Sequence, residues 1–125
     1  MKLNIGCGWR DFGKDWIHID GGNYDHLDSD DIFVTEYKNN SVDLIYASHF
    51  IEYFDREEVV PLLERWREVL KPSGVMRLAV PNFSKIASLY IKCYEPYGMD
   101  DFVGLLYGKM PMGGETIYHK TVYDF

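Results

Sequence analysis

The feature that most constrains the fold is an apolar run near the start of the chain that ends in two closely spaced glycines. Residues 2–8 read KLNIGCG, and residues 16–20 read WIHID before a further glycine, Gly21. Short runs of aliphatic and β-branched residues that stop at glycine or aspartate are typical of buried strands. Only residues 8–15 separate the two runs, which is less than the usual crossover between parallel strands. The pattern predicts two short strands, over residues 2–5 and 16–19, joined by a tight loop or a single helical turn.

The following residues alternate between strand and helix patterns. The segment YDHLDSDDI, residues 24–32, is acidic and predicts only a weak third strand. Residues 42–47 (VDLIYA) are nearly continuous in apolar character and predict a central strand covered on both faces. Asp55 fits a helix N-cap with Glu58 as the partner in a capping box, and apolar residues then recur at spacings of three and four. The sequence KPSG at 71–74 predicts the end of this helix, and residues 75–80 predict the next strand.

Two further helices are predicted over residues 82–94, with Pro96 as the terminator, and over residues 100–107. The remaining residues, GKMPMGGETIYHKTVYDF, predict a loop with the start of a helix at the very end. The alternation as a whole predicts an α/β fold with an open parallel sheet.

Composition narrows the class of protein. A chain of 125 residues, 46% of them hydrophobic, can bury one core and predicts a single domain. The net charge of −7 opposes binding to phosphate backbones, so nucleic acid is not expected as a partner. No apolar stretch approaches the roughly 20 residues of a membrane helix, which favours a cytoplasmic protein. Cys7 and Cys93 lie far apart without metal-ligand spacing, so we expect both to be reduced and expect no metal site.

The glycine turn suits a nucleotide-like ligand. Glycines after a strand let the backbone approach a ligand closely, and Asp20, at the end of the neighbouring strand, can accept both hydroxyl protons of a ribose. Gly6, Asp20 and Ser48 all follow predicted strands, at the sheet edge where such ligands bind. A tight turn used only for packing is the alternative. The dinucleotide fingerprint needs a third glycine at position 11, where this chain has Asp11, so a cofactor without phosphates is favoured.

Four segments in order, LNIGCG, WIHID, SVDLIYASHFIEYF and VLKPSGVMRLAVPNF, resemble the class I S-adenosylmethionine-dependent methyltransferases, specifically the methyltransferase-11-like group. The resemblance spans residues 2 to about 83. It implies a Rossmann-like open twisted parallel sheet in the strand order 3-2-1-4-5, with three α/β/α layers and without the last two of the usual seven strands. Within this group, the chain is similar to the small predicted methyltransferases of bacterial surface-polysaccharide loci, which also shorten the first crossovers and carry a later segment like GGETIYHKTVYDF.

The resemblance implies S-adenosylmethionine as the cofactor and a set of residues that bind it. These are Asn4, Gly6, Cys7, Gly8, Asp20, Gly21, Asp31, Ile32, Ser48 and His49. Asn4 stands where the family more often has an acid, and Asp20 matches the residue that grips the ribose. Asp31 matches the residue that meets the adenine amino group, with Ile32 against the ring, and Asp30 is an alternative to Asp31. Ser48 and His49 match the loop beside the sulfonium, and Glu52 follows as part of the same motif, with Tyr53 where many relatives have histidine.

Methyl transfer from a sulfonium is an in-line displacement that needs alignment and exclusion of water rather than a metal. A hydroxyl acceptor benefits from a general base, for which His49 is the first candidate and His119 the second. A carboxylate or amine acceptor can do without one. The alternative for His49 is a wall residue that hydrogen-bonds the cofactor or a backbone carbonyl. The acidic cluster around Asp28 lacks the glycine and distal glutamate of a calcium loop, which favours a solvated loop.

Family members usually have seven strands, and the sequence ends before the last two. The expectation is therefore one methyltransferase domain over residues 1–125, truncated at its C-terminus, whose uncovered edge strand favours a homo-oligomer. The expected function is transfer of a methyl group to a small molecule or sugar. The alternative is a truncated, non-catalytic fold that binds the cofactor or a protein partner without turnover. A nicotinamide oxidoreductase is a third, disfavoured reading.

Overall fold

The computed structural model describes residues 1–93 and 98–124, with the backbone alone at Cys93. The expectation that Pro96 ends a helix lies outside the described residues. A short 3₁₀ turn spans Ile51–Tyr53. The strands and helices are β1 Lys2–Ile5, β2 Ile17–Ile19, β3 Val42–Ser48, α1 Arg56–Val69, β4 Leu70–Ala79, α2 Phe83–Cys93, α3 Met99–Tyr107, β5 Met110–Met112 and β6 Glu115–Ile117.

Four strands form a parallel sheet in the order β2-β1-β3-β4, which confirms the predicted α/β fold. The β1 residue Leu3 is paired with Ile17 of β2 and Ile45 of β3. The weak third strand predicted over residues 24–32 is wrong in extent. It is reduced to one parallel bridge between Ile19 and Ser29, because the acidic segment around it offers little apolar surface to bury against the sheet. The remaining strands keep the predicted neighbours.

Helix α1 covers one face of the sheet and begins where the capping box predicted. The Asp55 carboxylate accepts the backbone N–H groups of Glu57 and Glu58, and the Glu58 carboxylate accepts the N–H of Asp55 at 3.0 Å. Leu62 and Trp66 of α1 are fully buried in the same apolar cluster as the alternating strand residues Leu3, Ile5 and Ile45. Packing against α1 thereby positions β1 and β3, and with them the carboxyl ends of these strands.

A loop covers the opposite face of the sheet. The β1–β2 crossover contains no helix, in agreement with the predicted tight loop, and its Phe12 packs against Trp16 at 5.2 Å and against Tyr46 of β3 at 5.4 Å between ring centroids. The Phe12 backbone N–H donates to His18 Nε2 at 2.8 Å, so the buried His18 ring anchors the loop to β2. A shortened crossover is therefore compatible with a dry sheet face.

Two boundaries differ from the sequence prediction. Strand β4 begins at Leu70, directly after α1, and includes residues 71–74 that were predicted as a break. A register shift between Val42 and Leu44 accommodates this stretch beside β3. The tail, predicted as a loop with a final helix start, instead forms the antiparallel hairpin of β5 and β6. Gly113 and Gly114 have φ of +58° and +84°, which suits the two-residue turn between these strands.

Within residues 1–93 and 98–124, none of the helices combines the length and the apolar character needed to cross a bilayer.

Candidate functional site

A cavity of about 820 Å³ opens at the carboxyl ends of β1, β2 and β3. This volume is within the range of small-molecule sites in proteins, roughly 300–1,000 Å³. One wall comes from the strand ends and the loops that follow them, and the other comes from the tail hairpin. The lining residues are Gly6, Gly8, Trp9, Arg10, Asp20, Gly22, Tyr24, Ser48, His49, Phe50, Tyr53, Phe54, Met110, Pro111, Met112, Thr116, Ile117, Tyr118, His119 and Lys120.

The two glycines after β1 have different structural reasons. Gly6 has φ of +69°, and a β-carbon on it would lie 2.2 Å from the Phe50 ring, so only glycine fits between this ring and the turn. Gly8 also has a positive φ, +55°, but a β-carbon there would contact nothing within 4 Å. Gly8 therefore leaves open space at the cavity wall, and Gly6 allows close packing beneath it.

The Asp20 carboxylate joins the turns that follow β1 and β2. Its Oδ2 accepts the Gly8 N–H at 2.8 Å and its Oδ1 accepts the Gly22 N–H at 2.7 Å. The residue is buried but lines the cavity. Since each carboxylate oxygen has a second acceptor position, Asp20 can hold the turns and still accept two hydroxyl protons of a ligand.

Ser48 and His49 lie where β3 ends, and both line the cavity. His49 has φ of +53°, a left-handed conformation that is uncommon for residues other than glycine. The His49 N–H donates to the Ala79 carbonyl at 2.8 Å, which ties this turn to the end of β4. Its side chain is 59% exposed, so the ring projects from the strand end instead of packing in the core.

Glu52 is a buried carboxylate directly behind this wall. Its side chain is 1% exposed, and neither of its oxygens makes a hydrogen bond to any residue that the structure describes. Two imidazoles lie against the same oxygen, Oε1: His49 Nδ1 at 3.2 Å and His119 Nε2 at 3.9 Å. Burial, and secondly the negative charge of Glu52, raise the pKa of Tyr53 and of Tyr123. A local concentration of negative charge and titratable groups therefore lies beside the cavity.

Contacts made by Lys120 and His119 hold the tail beside Glu52. The backbone N–H of Lys120 donates to the Glu52 carbonyl at 2.8 Å, and the Lys120 ammonium contacts Glu58 at 3.1 Å. His119 Nδ1 lies 2.9 Å from the Leu106 carbonyl, which fixes a proton on Nδ1 and turns Nε2 toward Glu52. Gly108 has φ of +57°, and a β-carbon on it would lie 2.5 Å from His119 Nε2.

Several residues expected at the site do not line the cavity. Asn4 is buried within β1 and its Nδ2 has no hydrogen-bond partner. Cys7 is buried, and burial together with the charge of Asp20 raises the pKa of its thiol to about 11. Gly21 precedes the lining residue Gly22, and a β-carbon on Gly21 would lie 3.6 Å from the Met112 sulfur.

The residues expected at the adenine are engaged elsewhere. Asp31 accepts the backbone N–H groups of Phe33 and Thr35 and the Thr35 hydroxyl. Its slight burial raises the pKa of this carboxyl, but these hydrogen bonds outweigh that effect and hold it below its ordinary value. Ile32 packs on the core, and its carbonyl accepts the Trp66 indole N–H at 2.8 Å. Their role at the cofactor stays a prediction.

The sequence interpretation missed the whole tail wall of the cavity, from Met110 to Tyr118, although it named His119. The Gly113-Gly114 pair between two three-residue runs was a hairpin signal that could have predicted it. Among the residues that the structure describes, no group of three or more histidine, cysteine or acidic side chains is arranged to hold a metal ion.

Comparison with known proteins agrees with this architecture. Residues 22–78 match the family model described as "Methyltransferase domain". A crystal structure of a SAM-dependent methyltransferase from Archaeoglobus fulgidus is similar at a TM-score of 0.57 and 21% sequence identity. The alignment covers 85% of this chain and 60% of the archaeal chain, so the present chain spans less than two thirds of that protein. No curated protein matches the sequence significantly. Residues 22–78 are therefore similar to a methyltransferase domain, and the chain shares its fold with the archaeal SAM-dependent methyltransferase.

Proposed function

We propose that this chain binds S-adenosylmethionine in the cavity at the carboxyl ends of β1–β3 and transfers its methyl group to a small-molecule acceptor. The observation that carries the proposal is the position of Asp20. Its carboxylate bridges the backbone of Gly8 and Gly22 while bordering a cavity of about 820 Å³. A vicinal diol bound there would meet two oxygens that are already fixed in place, so little ordering is required on binding.

The residues present fit this cofactor. The turn at Gly8 leaves room where a side chain would stand, and the buried Nδ2 of Asn4 is an unused donor behind it. A cationic sulfonium is favoured near Asp20 and the buried Glu52, whereas the phosphates of a dinucleotide would be repelled by them. These features support a nucleoside without phosphates, as the turn sequence predicted.

When bound, the sulfonium supplies an electrophilic methyl group with a neutral thioether as its leaving group. The chain's own residues bind and orient: Asp20 takes the ribose, Gly6 and Gly8 let the backbone approach, and Ser48 and His49 border the acceptor side. His49 is the candidate general base for a hydroxyl acceptor. The tail hairpin excludes water from the opposite side, where Met110, Pro111 and Met112 contribute to the wall.

Isothermal titration with S-adenosylmethionine and S-adenosylhomocysteine tests the proposal. Wild-type protein is expected to bind both, and Asp20→Asn is expected to bind at least 10-fold more weakly, because one acceptor oxygen is replaced by an amide donor. Asp43→Asn is the matched control, since Asp43 is an exposed carboxylate of the same sheet at the opposite end of β3. Absence of binding in the wild-type protein, or equal binding by Asp20→Asn, would contradict the proposal.

The acceptor and setting form the finer part of the proposal. A sugar or another hydroxyl-bearing small molecule of surface-polysaccharide synthesis is the class that the resemblance favours, and a panel assay with methyl-labelled cofactor tests it. Cofactor binding with no turnover on any acceptor would favour the non-catalytic alternative. We assign the reaction to the cytoplasm, where a free thiol such as that of Cys7 stays reduced.

Self-association is also part of the proposal. Strand β4 has no neighbour on its outer edge among the described residues, and its Val75 and Leu78 are exposed. An open strand edge with apolar side chains favours pairing between copies. Sedimentation velocity at two protein concentrations should show a concentration-dependent oligomer, and a monomer at both concentrations would contradict this.

A further inference from the structure

The contacts of the Glu52 side chain do not explain how a buried carboxylate at this position would stabilise the fold. Buried carboxylates are normally hydrogen-bonded or paired because loss of water is costly. Here the side chain is 1% exposed, and both oxygens lack a hydrogen bond among residues 1–93 and 98–124. The Glu52 backbone carbonyl already holds the tail through Lys120, so the side chain is not needed for that contact. An unsatisfied buried charge beside a ligand cavity is more typical of a functional site than of a core.

Two imidazoles are the polar groups nearest to this carboxylate. They reach it from different parts of the chain: His49 from the end of β3 at 3.2 Å and His119 from the tail at 3.9 Å. The other titratable groups facing Glu52 are the hydroxyls of Tyr53 and Tyr123, while the Lys120 ammonium turns away to Glu58. His119 is itself fixed, since its Nδ1 faces the Leu106 carbonyl and its side chain is only 9% exposed.

The two rings consequently have different freedom. His119 is enclosed, whereas His49 is 59% exposed and lines the cavity. The ring edge of His49 that carries Nδ1 faces the carboxylate, so the opposite edge, with Nε2, is directed away from it. Which nitrogen of a neutral histidine carries the proton is set by the hydrogen bond that the ring makes. Hydrogen bonds of this type are often poorly aligned without ligand and tighten when the site is filled.

We propose that Glu52 is a positioning residue that holds the proton of neutral His49 on Nδ1, leaving Nε2 to accept a proton from a hydroxyl-bearing acceptor in the cavity. This inference rests on the proposed function and narrows it to one class of acceptor. In the proton transfer the acceptor O–H bond breaks, its electron pair stays on oxygen, and the proton forms a new bond to Nε2. The resulting imidazolium is then paired with the Glu52 carboxylate, and the attraction between the two opposite charges favours this product of the proton transfer.

The same geometry disfavours a carboxylate acceptor. Such an acceptor carries no proton for His49 to remove and would bring a second negative charge beside Glu52. A neutral hydroxyl is the nucleophile that needs a base and tolerates this electrostatic environment.

The test reads the tautomer directly and needs no acceptor. The chain has four histidines, so two-bond and three-bond ¹H–¹⁵N correlations on histidine-labelled protein at pH 8 are resolvable. His49→Asn assigns the His49 signals, and asparagine tolerates the left-handed backbone at this position. Wild-type protein, with and without S-adenosylhomocysteine, is expected to show His49 mainly as the Nδ1–H tautomer. In Glu52→Met the Nε2–H tautomer, which solvated imidazoles favour, should become the major form.

The controls separate charge from fold. Glu58→Gln removes a different carboxylate that contacts the tail while keeping an oxygen for the helix cap, and it should leave the His49 tautomer unchanged. Glu52→Gln serves if the methionine variant fails to fold: loss of the charge should lower the Nδ1–H share. A wild-type His49 that is mainly Nε2–H, or a share that does not change in the Glu52 variants, overturns the inference. Either result leaves cofactor binding by titration calorimetry as a separate test of the proposed function.

Discussion

Replacing Glu52 by methionine should stabilise the protein. The side chain is 1% exposed, and neither oxygen is hydrogen-bonded within the described part of the chain. His49 lies 3.2 Å from the carboxylate, and His119, at 3.9 Å, presents its unprotonated Nε2, so the two rings leave most of the charge uncompensated. Substitution of a buried ionic group by an apolar residue of similar volume is typically neutral or stabilising by about 1–4 kcal/mol. Neither imidazole loses its only polar environment, because His49 is largely exposed and His119 keeps the Leu106 carbonyl.

The expected size of the effect can be converted into a melting temperature. With an unfolding entropy of roughly 2.1 cal/mol/K per residue, a chain of this length gains about 4 °C for each kcal/mol. Glu52→Met should therefore raise the Tm by roughly 4–15 °C in differential scanning calorimetry at pH 7. Glu58→Gln is the matched control, since it alters an exposed contact with Lys120 that should contribute less than about 1 kcal/mol.

A fall in the Tm of Glu52→Met by several degrees would refute this reasoning. It would mean that the carboxylate is satisfied in solution by a donor and is retained for stability rather than for function. A rise in Tm together with the loss of the His49 Nδ1–H tautomer would indicate that stability has been given up at this position for the chemistry of the site.

Two further predictions concern the tail and the cavity turn. Gly108→Ala should destabilise the chain by about 1–3 kcal/mol more than Gly113→Ala in urea denaturation. Both glycines have φ near +57°, but only at Gly108 would a β-carbon clash with the His119 ring. Equal losses of stability in the two variants would contradict this. In a Cys93→Ser variant, Cys7 of the folded protein should react with iodoacetamide at pH 8 roughly 100-fold more slowly than in urea, because a pKa of about 11 leaves little thiolate. The reaction rate should rise tenfold per pH unit up to that pKa. A fast reaction whose rate is constant above pH 9 would contradict the raised pKa.

The part of the fold that the sequence predicted well is the part determined by neighbouring residues. The apolar run before Gly6 and the capping box at Asp55 are local signals, and both elements begin and end close to the expected residues. The register of β4 could not be predicted in this way. Residues 71–74 have turn propensity, but pairing with β3 and the shift at Val42 draw them into the strand, which is a tertiary effect.

The candidate site also contains residues that local sequence signals bring together and residues that meet only in the folded structure. Gly8 and Asp20 are twelve residues apart, and their pairing followed from the order of two adjacent strands. Glu52 and His119 are separated by most of an α1–β4–α2–α3 segment, and nothing in the periodicity of either region shows that they meet. Both histidines were base candidates from their chemistry, and Glu52 was part of the motif that the resemblance identified, but the contact of both rings with its carboxylate is visible only in three dimensions.

The two sides of the cavity depend on the tail to different extents. The proposed nucleoside side is held by contacts within the first 22 residues, through the Gly8 and Gly22 N–H groups that donate to Asp20. The proposed acceptor side is held by the contacts of Lys120 and His119 with Glu52, by the contact of His119 with the Leu106 carbonyl in α3, and by the left-handed turn at His49. Segments that cover a ligand site are drawn from the less stable parts of a fold. Under the proposed function, variation in the tail alters the acceptor while the Asp20 contacts, and with them the cofactor, stay the same.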